Sequence, residues 1–198
     1  MVSIVQKDDP QKGAVLRTKA VPIGLNEIAT VELKGVLTRM QETLQGEEDG
    51  VALAAPQIGV SKRIFIISPM AYDISARIKA ERSRRSGNSE DAEKEQEPAG
   101  RQATKNYRLV YINPRVVKVS KEKKELEEGC LSVRPLYGKV KRSARATVEA
   151  LDENGNLFTQ GATGLMAQIF QHETDHLDGI LFVDKAKEVR EMPPQKNQ

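Results

Sequence analysis

The stretch that decides the fold is Thr163-Gly-Leu165-Met166-Ala-Gln168-Ile169-Phe170-Gln171-His172-Glu173-Thr174-Asp175-His176-Leu177, followed by Asp178-Gly179. Residues three and four apart share a helix face, so Leu165, Ile169, His172 and His176 fall together, with Met166, Phe170, Glu173 and Leu177 beside them. Gln168, Gln171 and Asp175 make a narrower polar edge. Gly179 is a C-cap glycine that stops the helix. A helix apolar over so much of its surface belongs at the buried centre of a domain. The same helix carries His-Glu-x-x-His. Two imidazoles at this spacing reach one metal ion, and Glu173 sits where a carboxylate takes a proton from a metal-bound water.

These are the only two histidines in the chain. A catalytic zinc-type site uses three protein ligands and keeps one position open, so the third ligand must be Cys or a carboxylate. Glu188 and Glu191 lie downstream, as a gluzincin-like site would need, but the sequence ends at Gln198, which leaves little chain for the second half of a typical protease site. Cys130, the single cysteine, offers a thiolate, a strong ligand for zinc or iron, and is the favoured third ligand. Gly129 before it lets the backbone pass close to a metal.

Composition bounds the rest. The chain has 198 residues, 38% hydrophobic and 30% charged, which fits one soluble domain with a highly charged surface. The net charge of +3 is mildly basic, without a basic stripe interleaved with aromatics, so no specific nucleic acid is expected. No apolar run approaches a membrane span, and residues 1–10 read as neither signal nor transit peptide. A lone cysteine excludes an intramolecular disulfide and fits a reducing compartment. The expected location is the cytoplasm, with no membrane association.

Residues 1–25, punctuated by Pro10, Gly13, Pro22 and Gly24, read as a wrapping arm. Asn26 is the expected N-cap of a helix carrying Leu33, Val36, Leu37, Met40 and Leu44 and ended by Gly46. Residues 63–68 read as a buried strand stopped by Pro69. Residues 81–105 contain no Ile, Leu, Val, Met or aromatic residue and cannot offset their ordering entropy. The expectation is one domain over residues 1–198 with a mobile insertion at about 75–106, opened by a short helix at 74–80. Residues 107–112 and 115–120 read as two strands around Asn113-Pro114, residues 121–125 as a charged connection. Residues 145–151 and 156–159 form a hairpin across Asn154-Gly155. Residues 180–183 read as a short covering strand. Strands followed by a late helix indicate α+β, with short antiparallel sheets packed around the central C-terminal helix that carries the motif.

Three segments then resemble one family. Gly50-Val-Ala-Leu-Ala-Ala-Pro-Gln57, Glu128-Gly-Cys-Leu-Ser132 and Gln171-His-Glu-Thr-Asp-His-Leu177 are similar, in order, to the three signature motifs of the peptide deformylases. Val15-Leu-Arg, Ala20 and Pro22 also resemble the family's opening. The resemblance runs from about residue 4 to residue 184, outside residues 81–105. It implies removal of the N-formyl group from the N-terminal formylmethionine of nascent polypeptides. It implies one divalent metal ion, Fe(II) in the cell with Zn, Ni or Co as substitutes, on Cys130, His172 and His176. A metal-bound water would attack the formyl carbonyl with Glu173 as general base, while the side-chain amide of Gln57 and the backbone N–H of Leu131 donate to the developing oxyanion. The methionine side chain is expected in an apolar pocket of Val51, Leu165 and Ile169, and the substrate backbone along residues 50–52, with Gly50 and Ala52 completing that edge. Formylated nascent peptides are the implied partners, and a transient ribosome association is compatible with the charge. The family pattern carries Gly where this chain has Ala52, and a Cβ there crowds the peptide. The rival readings are a His-Glu-x-x-His metallopeptidase of another class, with a carboxylate ligand, and an inactive metal-binding homologue.

Overall fold

A computed structural model describes residues 2–86 and 107–192. Among the described residues, eight strands form two antiparallel sheets, packed with three α-helices. The larger sheet has the order β1-β2-β3-β6-β7, from β1 (Ala52–Ala54), β2 (Ile64–Ile67), β3 (Val110–Val119), β6 (Arg145–Leu151) and β7 (Leu157–Thr163). The smaller holds β4 (Lys123–Gly129), β5 (Leu136–Ser143) and β8 (Lys187–Glu191) in the order β4-β5-β8. Helix α3 (Gly164–Leu177) carries the His-Glu-x-x-His motif.

The larger sheet is covered on both faces, which explains the unbroken apolar run of β2. Phe65 and Ile67 point to one face, where Ala54, Tyr111 and Val148 join Met166, Ile169, Phe170 and Leu177 of α3. Ile64 and Ile66 point to the other, against Leu33, Leu37, Met40 and Leu44 of α1 (Val31–Gln45). Successive strand residues alternate faces, so each layer takes every second side chain. The polar edge of α3 meets the smaller sheet. Gln171 exchanges two 3.0 Å hydrogen bonds with the backbone of Ser143, and Asp175 pairs with Arg142 and Lys185. Helix α3 therefore joins the two sheets, as its three-sided sequence pattern requires.

Several expected boundaries change. The N-cap of α1 is Thr30, whose hydroxyl accepts from the Leu33 N–H, and Asn26 lies in a separate 3₁₀ turn, Leu25–Glu27. The two strands expected around Asn113-Pro114 are one strand with a register shift. Asn113 takes a positive φ of 50°, which its short side chain tolerates, and both ends of its amide bond the backbone of Ile23, pinning the N-terminal arm. Residues 123–125, read as connection, belong to β4. The 180–183 segment is a loop and a 3₁₀ turn, Phe182–Asp184, rather than a strand; it still buries Leu181 and Phe182. The short helix expected at 74–80 runs instead from Pro69 to Ser86 as α2. It takes in the first residues of the charged segment, whose remainder, 87–106, lies outside the described residues.

Candidate active site

The first N–H groups of a helical turn have no partner within it. Strand β4 ends at Gly129, and Cys130 stays extended before the 3₁₀ turn Leu131–Val133. This places the Cys130 thiol over α3 and the Leu131 N–H at the start of a turn. Cys130 Sγ lies 3.1 Å from His176 Nε2. One donor atom each from Cys130, His172 and His176 fall within 4.8 Å of one another, a metal-binding triad. Among the described residues neither Glu188 nor Glu191 joins it; Glu188 pairs with Lys139 on the far strand pair.

Around the triad a buried ionic layer sets orientation and charge. Glu128 and Arg142 side chains are 2% and 4% exposed and bond bidentately at 2.7 and 2.9 Å. The second Glu128 oxygen accepts at 3.0 Å from His172 Nδ1. That bond fixes the His172 tautomer and leaves Nε2 as its ligand atom. Burial pushes the Glu128 carboxyl up, but Arg142 and His172 outweigh it and hold it at about 2. Burial disfavours charge on His172, yet contact with Cys130 and Glu128 raises it well above the usual histidine range. His176 is pushed well below that range, by burial first and then by the charge on His172. The buried Glu128 carboxylate beside the triad draws positive charge to it, and a divalent cation bound by a neutral His172 would supply that charge. Among the described residues, the buried atoms His176 Nδ1 and Glu173 Oε2 have no hydrogen-bond partner. Burial, with a smaller push from Glu128, raises the Glu173 carboxyl to about 7 against the opposing charges of His172 and Arg142.

Gln57 comes from the 3₁₀ turn Ala55–Ile58 directly after β1 and is 2% exposed. The Ala54 N–H donates to its Oε1 at 2.7 Å, which forces the amide nitrogen to the other side. That nitrogen donates to Ser132 Oγ at 3.2 Å and lies 3.5 Å from Cys130 Sγ. An amide nitrogen has two hydrogens, and these two acceptors take one each, so the Gln57 amide is aimed at the triad.

A cavity of about 330 Å³ opens here. All five expected substrate-contact residues, Gly50, Val51, Ala52, Leu165 and Ile169, line it, as do Gln57, Leu131 and Glu173. Strand β1 is the edge of its sheet, so its outer side is open to a further strand. A Cβ at Gly129 would lie 2.4 Å from the Tyr137 ring, so the glycine makes room for an aromatic at the cavity wall. Local sequence pattern gives no role to Ser132, to the Glu128–Arg142 pair, or to Met70, Ile74 and Tyr137 in the cavity wall. Glu128 and Ser132 stood inside a signature motif, but their partners depend on strand register. Met70 lies in a stretch given no element, and Ile74 opens the short helix expected at 74–80.

The chain matches the family described as Polypeptide deformylase over residues 1–192. It is 36% identical over 174 residues to "Peptide deformylase 2" of Clostridium acetobutylicum, covering 88% of this chain and 90% of that protein. It is 40% identical over 174 residues to a peptide deformylase of Desulfitobacterium hafniense, covering 87% and 89%. Among solved structures, the peptide deformylase of Thermotoga maritima superposes with a TM-score of 0.69 at 29% identity, over 94% of this chain and 98% of that one. A Met-Ala-Ser-bound class I type b peptide deformylase of Acinetobacter baumannii gives 0.69 at 28% identity, over 93% and 98%. The matched span takes in all three signature motifs and the whole triad: the chain belongs to the polypeptide deformylase family.

Proposed function

We propose that the protein hydrolyses the N-formyl group from formylmethionine at the start of nascent polypeptides, in the cytoplasm and in transient association with the ribosome. The observation that carries this reading is one cavity that reaches Cys130 and His172 of the metal-binding triad, the Glu173 carboxyl with its unpartnered Oε2, and the edge strand β1. In this reading Cys130, His172 and His176 hold one divalent ion, Fe(II) in the cell, with Zn, Ni or Co as substitutes. Such an ion supplies a water that ionises near neutral pH and a Lewis acid for the formyl carbonyl.

The chain's own groups do the remaining work. The substrate backbone pairs with residues 50–52 as an added strand, and its first side chain enters the apolar part of the cavity at Val51, Leu165 and Ile169. Gln57 Nε2–H and the Leu131 N–H face the formyl oxygen and stabilise the negative charge that grows there. Glu173 takes the proton of the attacking water on its free oxygen and returns it to the amine nitrogen as the C–N bond breaks. Formate and a free N-terminus result. A carboxyl near 7 suits both halves of that transfer. The Met-Ala-Ser peptide in the Acinetobacter baumannii neighbour has the composition of the expected product.

The test follows formyl-Met-Ala-Ser and acetyl-Met-Ala-Ser by mass spectrometry with anaerobically iron-loaded protein. Formate and Met-Ala-Ser should appear from the formyl peptide, with the acetyl peptide at least tenfold slower. Cleavage inside the peptide would instead favour a metallopeptidase, and no product at all would favour an inactive homologue.

A further inference from the structure

Helix α2 lies between β2 and β3 and packs against α3. Its first turns are firmly held. Ala71 is fully buried in the core layer under α3. The Tyr72 hydroxyl donates to Arg108 O at 2.6 Å and lies 3.0 Å from the hydroxyl of Tyr111, which in turn donates to Gln160. The Tyr72 ring stacks on Tyr107 with centroids 4.5 Å apart, and Tyr107 donates to Asp73. With residues 71 and 72 turned to the sheet, residues 70 and 74 share the adjacent face, one turn apart. Met70 and Ile74 are half-buried, and both line the 330 Å³ cavity with Leu165 and Ile169 of α3. Ile78, a turn further along, is 37% exposed and is not part of the lining.

We propose that Met70 and Ile74 are specificity-determining residues, forming with α3 the wall that selects the first side chain of the substrate. The inference rests on the deformylase reading. The chemistry of the wall suits an unbranched apolar side chain. Met70 is flexible and polarisable and adapts its contact to a linear chain, whereas β-branched Ile74 is stiff and limits width. Because the contacts made are the same before and during reaction, they act on binding. Truncating them should raise KM and leave kcat nearly unchanged.

The experiment compares parent, Met70→Ala, Ile74→Ala, Met70→Leu and Ile78→Ala on formyl-Met-Ala-Ser and formyl-Phe-Ala-Ser. Met70→Ala and Ile74→Ala should each raise KM for the methionine peptide about tenfold, with kcat within about twofold. The preference for Met over Phe should narrow, because the wall recedes. Met70→Leu should recover most of the loss, and Ile78→Ala should match the parent. Calorimetry with Met-Ala-Ser on a Glu173→Ala background should show the same weakening without turnover. Parent-like KM and selectivity in both truncations, or a loss in kcat alone, would overturn the proposal. No formate from the parent on either peptide would instead sink the deformylase reading, and unchanged product affinity would then remove the wall as well.

Discussion

Replacing Arg142 by Met tests the ionic layer beneath the triad. Arg142 and Glu128 are almost fully buried, and their bidentate pair is what keeps a carboxylate ionised there. Arg142 also bonds Asp175 at 2.5 Å. Removing one member of a buried pair costs about 3–5 kcal/mol, since the other charge is stranded. In the metal-free protein His172 still offers Glu128 a positive partner, so the loss should fall at the lower end, about 3 kcal/mol. With a metal bound, His172 is neutral and Glu128 has no cation left. Metal affinity should therefore fall roughly 10–100-fold as well. Urea unfolding of the metal-free protein measures the first quantity, and competition with a chromophoric chelator measures the second. In the double variant Arg142→Met with Glu128→Gln, the stranded charge is gone, so stability should recover by at least about 1 kcal/mol. If Arg142→Met unfolds within about 1 kcal/mol of the parent and holds zinc equally well, the pair does not support the site and the reasoning fails.

Three further outcomes follow from the geometry. Ser132→Ala should leave metal content intact but lower kcat about tenfold, because Gln57 loses the acceptor that orients its amide; Gln57→Ala should lose roughly 100-fold or more, and Ser132→Ala should add nothing to it. Ala52→Gly should lower KM for formyl-Met-Ala-Ser a few-fold by enlarging the cavity, at a cost of about 0.5–1 kcal/mol in unfolding free energy. Glu128 has a folded-state value of about 2 against an ordinary 4.5, so its contribution is complete above pH 4.5 and is lost as pH falls towards 2. Stability of the metal-free parent should drop by about 3 kcal/mol across that window, and Glu128→Gln should flatten it.

Helix α3 was legible in the sequence because a buried helix writes a repeating apolar pattern, and its two histidines sit within that pattern. The strands buried on both faces were legible for a similar reason: Ile64, Phe65, Ile66 and Ile67 have no polar member to confuse them. Strands β5 and β8 left little trace, since Lys139, Lys141 and the exposed residues of β8 face solvent. Pro69 was ambiguous. It ends a strand and also opens a helix, and proline is favoured at a helix's first position. The site divided along the same line. Cys130 could be sought because two ligands demanded a third. The Glu128–Arg142 pair and the Ser132–Gln57 bond depend on strand register and on contacts across 14 and 75 positions, which local pattern does not encode. Met70 and Ile74 were passed over because a charged tail follows them.

The central claim is that Glu173 moves the proton at a metal held by Cys130, His172 and His176. It is tested most directly by formate release from formyl-Met-Ala-Ser, comparing the iron-loaded parent with a Glu173→Ala protein that holds the same metal per chain. The account predicts formate from the parent and a rate at least about 100-fold lower from the variant. Equal rates from the two proteins would contradict it.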